Sequence, residues 1–133
     1  MKLTAQELRI GNLVQIVKYW KDFYDENYFI PKEINLDDLR AINNFKDIAK
    51  PIPLTEEWLF KFGFEKDKYD YFHHIKSKII IGHTTTDEFF EYEYLTGFQN
   101  SHTEMCELKY VHQLQNLYYC LCGKELQINI KPN

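Results

Sequence analysis

The sequence predicts an α+β fold, with antiparallel sheets packed by two main helices at about residues 55–62 and 110–122. Three observations carry this expectation. Val111, Leu114, Leu117, Tyr118 and Leu121 recur at three- and four-residue steps and line up one apolar stripe on a 3.6-residue period. Thr55-Glu56-Glu57 followed by Trp58, Leu59 and Phe62 and closed by Gly63 has the start, face and stop of a short helix. The remaining apolar runs are short, rich in β-branched and aromatic residues, and several alternate with polar ones, as half-buried strands do.

Thr4 to Glu7 fits a capping box, but Gly11-Asn12 cuts short any helix that follows. Leu13 to Tyr19 reads as the first strand and Tyr28-Phe29-Ile30 as its return, with Trp20 to Asn27 as the connection. Pro31 should fall near the end of the return strand, because a residue without an N–H belongs at an edge or terminus. This first layer, residues 13–42, suits a small SH3-like barrel or a hairpin layer. Leu36, Leu39 and Ile42 step by three, which favours a helical turn but leaves a strand open, and residues 43–50 read as a surface loop.

Pro51 and Pro53 hold the next segment extended up to Thr55, a good N-cap. Glu56 and Glu57 place negative charge at the positive end of the helix, and Leu54 and Leu59 have the spacing of a hydrophobic staple. Gly63 is the expected C′ residue, with Phe64 folding back on the last turn. A β-rich region follows, with a hairpin of residues 69–75 and 78–82 across Lys76-Ser77 and an alternating strand from Asp87 to Leu95. Residues 97–103 read as a loop and 105–108 as a strand leading into the long helix. That helix should end at Gly123, and Leu126, Ile128 and Ile130 alternate as a last strand.

A chain of 133 residues is expected to form a single domain, 1–133, with a β subregion over about 1–50 and a helix-plus-sheet subregion over about 51–133. Sixteen basic and twenty acidic side chains give a net charge of −4, and neither half of the chain carries a basic cluster. Generic nucleic-acid binding, which needs Lys/Arg to neutralise phosphates, is therefore disfavoured. Three cysteines without a repeated spacing argue for reduced thiols rather than a disulfide framework. No apolar run has the length of a signal peptide or a membrane span, so the expected location is the cytoplasm and no membrane partner is expected.

Two groups of motifs resemble a family of short uncharacterised proteins encoded by gut bacteria and their prophages. The first is Leu8-Arg9-Ile10-Gly11-Asn12, followed by Pro51-Ile52-Pro53-Leu54-Thr55-Glu56-Glu57-Trp58-Leu59 and Phe62-Gly63-Phe64. The second is Tyr110-Val111-His112-Gln113-Leu114-Gln115-Asn116-Leu117-Tyr118 with Gly123, Glu125 and Leu126. The resemblance implies an intracellular protein of a phage or mobile element and carries over no catalytic residue. Tyr119-Cys120-Leu121-Cys122 is more cysteine-rich than the family pattern.

No candidate chemistry reaches a catalytic, cofactor or metal assignment. Cys120 and Cys122 on a helix diverge by roughly 200° and cannot converge on one ion, and His73-His74 on a strand face opposite ways. His102 and Cys106 converge only if their loop is helical. His112 stands eight residues before Cys120, roughly 12 Å along a helix and too far for a dyad, so Cys120 reads as a small buried apolar residue. Glu91 and Glu93 share a strand face at about 7 Å, a spacing within reach of glycoside chemistry, but a solvated face accounts for them better. Glu56-Glu57 already has a role at a helix start, and the five glycines are isolated, so no phosphate loop forms.

The candidate interaction surface is the polar side of the long helix: His112, Gln113, Gln115, Asn116 and Tyr119. Uncharged amides and a tyrosine suit a protein–protein contact, and equally suit a helix braced against neighbouring loops. The favoured functional expectation is a non-enzymatic prophage or mobile-element accessory protein that binds another protein. The alternatives are a small-ligand binder or enzyme with a cleft lined by Tyr and by His73, His83 or His112, and a binder of single-stranded nucleic acid through aromatic stacking.

Overall fold

The computed structural model describes residues 3–20, 23–45, 48–74, 77, 79–85, 92–98 and 107–128, with backbone alone for 18–20, 23–28, 83–85, 92–98 and 107. The architecture is α+β, with two antiparallel sheets and three α-helices among these residues. By internal contacts the chain divides into two units, Met1–Pro53 with Tyr110–Asn116, and Leu54–Lys109 with Leu117–Asn133. The long helix, α3 (Val111–Cys122), contributes its first half to one unit and its second half to the other.

In the first unit a single 3-10 turn, Ala5–Glu7, follows Thr4, whose N–H donates to Glu7 Oε1 at 3.4 Å. Strand β1 (Leu13–Trp20) pairs antiparallel with β2 (Phe23–Glu33) and with β3 (Ala49–Lys50), giving the order β2-β1-β3. Residues 23–27, expected in the connection, are part of β2, which runs beside β1 as far as Trp20↔Phe23 with an irregularity in register between Val17 and Tyr19. Pro31 accordingly sits inside β2, opposite Gln15. It is tolerated because β2 is an edge strand of this sheet.

Helix α1 (Leu36–Asn44) resolves the ambiguous segment. Asn35 accepts from the Asp38 N–H at 2.9 Å while Asp38 accepts from the Asn35 N–H at 3.0 Å, a reciprocal cap that selects helix over strand. Residues 43–50 are thus not all loop. Asn43 and Asn44 finish the helix, and Ala49–Lys50 form β3 by pairing with Ile16 and Gln15. The core of this unit gathers Leu3, Leu8, Val14, Ile16, Val17, Ile34, Ile42 and Ile48, all buried.

In the second unit helix α2 (Glu56–Lys61) starts at Thr55, whose hydroxyl accepts from the Trp58 N–H at 3.4 Å. Leu54 and Leu59 are both buried, and Gly63 leaves the helix at φ 88°. Phe64, buried, opens strand β4 (Phe64–Lys66), the first of five antiparallel strands. The others are β5 (Phe72–His74), β6 (Ile79–Thr85), β7 (Tyr92–Phe98) and β8 (Glu107–Leu108), paired in chain order.

Strand β7 runs through Gly97 and Phe98, which the sequence placed in a loop, because both pair with β6. Residues 86–91, the start of the expected acidic strand, lie outside the described residues. Alternate residues Phe64, Phe72, His74, Ile79 and Ile81 are buried, while Glu65, His73 and Ile80 between them are not, so β4, β5 and the first half of β6 have one covered face and one more exposed face. Helix α2 meets the sheet through Phe60 against Phe72, with ring centroids 5.6 Å apart. The second half of α3 meets it through Tyr118 edge-on to His74 at 5.3 Å. Residues 126–128 form no strand, and 129 and 130 lie outside the described residues.

Candidate protein-interaction site

The first half of α3 carries four of the five residues expected on an interaction surface, and the structure turns most of that polar side inward. His112 and Gln115 are 1% and 3% exposed, Gln113 and Asn116 are half-buried, and Tyr119, further along the helix, is 42% exposed. The segment Glu7–Leu13 lies against this turn. Gly11, at φ 96°, makes the bend that no residue with a Cβ enters cheaply. The bend is held by Gly11 N–H donating to the Ile34 carbonyl and Ile34 N–H to the Asn12 carbonyl, both at 2.9 Å.

Gln115 and Asn116 then satisfy what the bend leaves open. Gln115 Oε1 accepts from the Leu13 N–H at 2.7 Å, and its Nε2 donates to the Gly11 carbonyl at 3.3 Å. Asn116 Oδ1 accepts from Asn12 Nδ2 at 2.8 Å and from Arg9 Nε at 2.9 Å, while its Nδ2 donates to the Glu7 carbonyl at 3.1 Å. Two of the motifs behind the resemblance, Leu8–Asn12 and Tyr110–Tyr118, are therefore halves of one hydrogen-bonded joint. The Pro51–Leu54 motif joins the same region, with Val111 N–H donating to the Ile52 carbonyl at 2.9 Å and Pro53 bridged to Tyr110.

A different element presents aromatic surface. Strands β4 and β5 are joined by the loop 67–71, and Asp67 organises it. Asp67 Oδ1 accepts from the N–H groups of Tyr69 and Tyr71 at 2.8 and 3.0 Å, and the Asp67 N–H donates to the Tyr71 carbonyl at 2.8 Å. Asp67 Oδ2 lies 2.6 Å from His73 Nε2. The His73 hydrogen bond, with the two backbone donors, holds the Asp67 carboxyl below the usual carboxylate range. Asp70 closes the turn at φ 67°, a left-handed conformation that aspartate tolerates better than most residues.

The result is a stiff tip with Tyr69 69% and Tyr71 48% exposed. Tyr71 is held from beneath as well. A Cβ on Gly82 would stand 2.8 Å from Tyr71 Cε1 and 3.0 Å from its Cδ1, so the ring lies directly over that glycine of β6. The expected strand 69–75 is shorter than predicted, since residues 69–71 belong to this tip and β5 begins at Phe72. The signal for the tip is present in Asp67-Lys68-Tyr69-Asp70-Tyr71, where a turn-forming acid alternates with aromatics.

The other candidate groups fall apart in space or serve the fold. His73 and His74 face opposite ways as expected: His73 pairs with Asp67, while the buried His74 accepts at Nδ1 from the Ser77 N–H at 3.3 Å. His73 and His112 belong to different units, and the His83 side chain, His102, Cys106, Glu91 and the Glu93 side chain lie outside what is described. Cys120 is exposed rather than buried, because the second half of α3 is covered along the Tyr118 side only. Burial, with Cys122 beside it, holds the Tyr118 phenol above its ordinary value.

Glu56 and Glu57 pair with Lys66 and Lys61, and Asp38 pairs with Lys32. Among the described residues no group of three His, Cys, Asp or Glu is placed to hold a metal ion, and no helix is long and apolar enough to cross a membrane. Comparison with protein-family models, with curated proteins and with solved structures gives no match for this chain.

Proposed function

We propose that this chain is a non-enzymatic accessory protein of a prophage or mobile element that binds another protein, and that the tyrosine tip of its second unit is the contact. The observation that carries the reading is the exposure of Tyr69 and Tyr71 on a loop fixed by Asp67 and His73. A tyrosine offers a large amphipathic surface with few rotatable bonds. When its backbone is already fixed, little ordering entropy is lost on binding. Tyr119, also exposed in this unit, adds aromatic surface of the same kind. The assignment to a prophage or mobile element rests on the resemblance of the Leu8–Asn12, Pro51–Phe64 and Tyr110–Tyr118 motifs.

The test is affinity capture from a host lysate with the wild-type chain and with a Tyr69→Ala/Tyr71→Ala double variant whose fold is checked by circular dichroism. Interface tyrosines that act as anchors contribute on the order of 2 kcal/mol or more, so the variant should retain roughly 30-fold less of a reproducible protein partner. Equal recovery by both chains, or recovery of nucleic acid alone, would sink the proposal. Glu65, Asp67 and Asp70 outnumber Lys66 and Lys68 around the tip, which makes the latter outcome unfavourable, since stacking on single strands works together with a positive groove.

A further inference from the structure

Among the described residues of the first unit, one buried titratable side chain has no hydrogen-bond partner. His112 is 1% exposed, and neither Nδ1 nor Nε2 has a hydrogen-bond partner. Its ring stacks on Tyr110, with centroids 5.8 Å apart and planes 9° from parallel. Most buried polar groups find partners, and an imidazole that lacks them is accepted far more easily as the neutral ring than as the cation. His112 also stands in the first turn of α3, where the partial positive charge of the helix end opposes a second positive charge.

We infer that His112 makes the attachment of the first two turns of α3 to the Glu7–Leu13 segment dependent on pH, with acidification releasing it. The ring sits three residues before Gln115 and four before Asn116, the two side chains that hold that segment. Protonation would place an unpaired cation in the buried turn that carries them. The charged side chains on the segments bonded to this turn are Glu7 and Arg9. Glu7 favours the cation, but burial outweighs it and lowers the His112 pKa below the ordinary imidazole value. Arg9 is engaged with Asn116 Oδ1 and the Gln115 carbonyl, and Tyr110 is the titratable group stacked on the ring.

The sign follows from the lowered value. The open state binds a proton near pH 6.5 and the closed state binds it only at lower pH, so stability is present above about pH 6.5 and is lost as pH falls. A site that excludes the proton entirely opens up to about 30-fold more often at pH 5 than at pH 7.5.

Hydrogen exchange followed by NMR tests this on the full chain. The Leu13 amide, bonded to Gln115 Oε1, should lose protection over that interval after correction for intrinsic exchange, while the Ile81 amide in the second unit should not follow it. A His112→Phe variant, which keeps a ring beside Tyr110, should show a flat profile at Leu13. The same loss in the variant would overturn the inference. Should that variant not fold, the wild-type His112 ring signals decide: no titration in the folded protein down to pH 5.5 supports the switch, and an ordinary titration with Leu13 still protected refutes it.

Discussion

The joint around Gln115 and the tip around Asp67 use the same chemistry for opposite ends. In both, a side-chain carbonyl or carboxylate oxygen accepts from backbone N–H groups that the local conformation leaves open. At the joint the partners are about a hundred residues apart in sequence and part-buried, with Gln115 itself buried, and the bonds tie a chain segment to a helix. At the tip the partners are within four residues, exposed to water, and the bonds set the angle at which two tyrosines leave the surface. Burial decides the difference. Losing a partner in the interior strands groups that water cannot reach, whereas at the surface water replaces most of what is lost. The joint should therefore be costly to disturb for stability, and the tip costly to disturb only for binding.

The sharpest way to break that contrast is Gln115→Ala. It leaves the part-buried Leu13 N–H and Gly11 carbonyl without the side chain that bonds both, a side chain itself 3% exposed. The expected loss is about 3 kcal/mol, combining two stranded backbone groups with the truncated side chain. Urea unfolding should show it as a lowered midpoint at an unchanged slope. A loss below about 1 kcal/mol would mean that the segment relaxes or admits water, and the joint would then be no stronger than the tip.

Asp67→Ala should act on the tip and scarcely on the whole. The Tyr69 and Tyr71 amides lose their acceptor and should lose protection against hydrogen exchange, while the urea midpoint moves much less than in Gln115→Ala. Asp67→Asn keeps an oxygen for the two amides but loses the charge that faces His73, so it should retain more of that protection. Because the Asp67 carboxyl lies below its ordinary range, its bonds to the Tyr69 and Tyr71 amides and to His73 are intact at neutral pH and weaken as pH falls through that lowered value.

How much of this was legible in the sequence follows the same division between local and distant partners. Helix α2 was readable because Thr55, Glu56, Glu57 and Gly63 act within their own two turns, and α3 was readable from its stripe and Gly123. The reciprocal cap of Asn35 and Asp38 was equally local, though it was overlooked beside the three-residue spacing of Leu36, Leu39 and Ile42. Strand β3 and the first half of β2 were not readable, since Ala49–Lys50 and Phe23–Asn27 are strands only because β1 lies beside them. The same applies to the candidate surface. A helix read alone exposes His112 and Gln115, and only the distant Glu7–Leu13 segment covers the amide side. Arg9 and Asn12 in one motif and Gln115 and Asn116 in the other were the available hint, as two polar sets whose hydrogen-bonding needs match.

The smallest expected effect on stability is also the one that most sharpens the comparison. Tyr69 is the most exposed of the large apolar and aromatic side chains among the described residues, with Lys68 Nζ 5.0 Å from its ring centroid and Asp67 bonded only to its backbone N–H. Tyr69→Ala removes the ring and leaves that bond in place, so the unfolding midpoint should shift by no more than about 0.5 kcal/mol equivalent. If the tip is a contact, the same substitution should still reduce partner capture several-fold, because anchor residues lose binding far in excess of any change in the free protein. Unchanged stability with unchanged capture would assign the tip to hairpin closure alone. A substantial loss of stability would show that Tyr69 supports the fold, and the division between a joint that builds the protein and a tip that presents it would no longer hold.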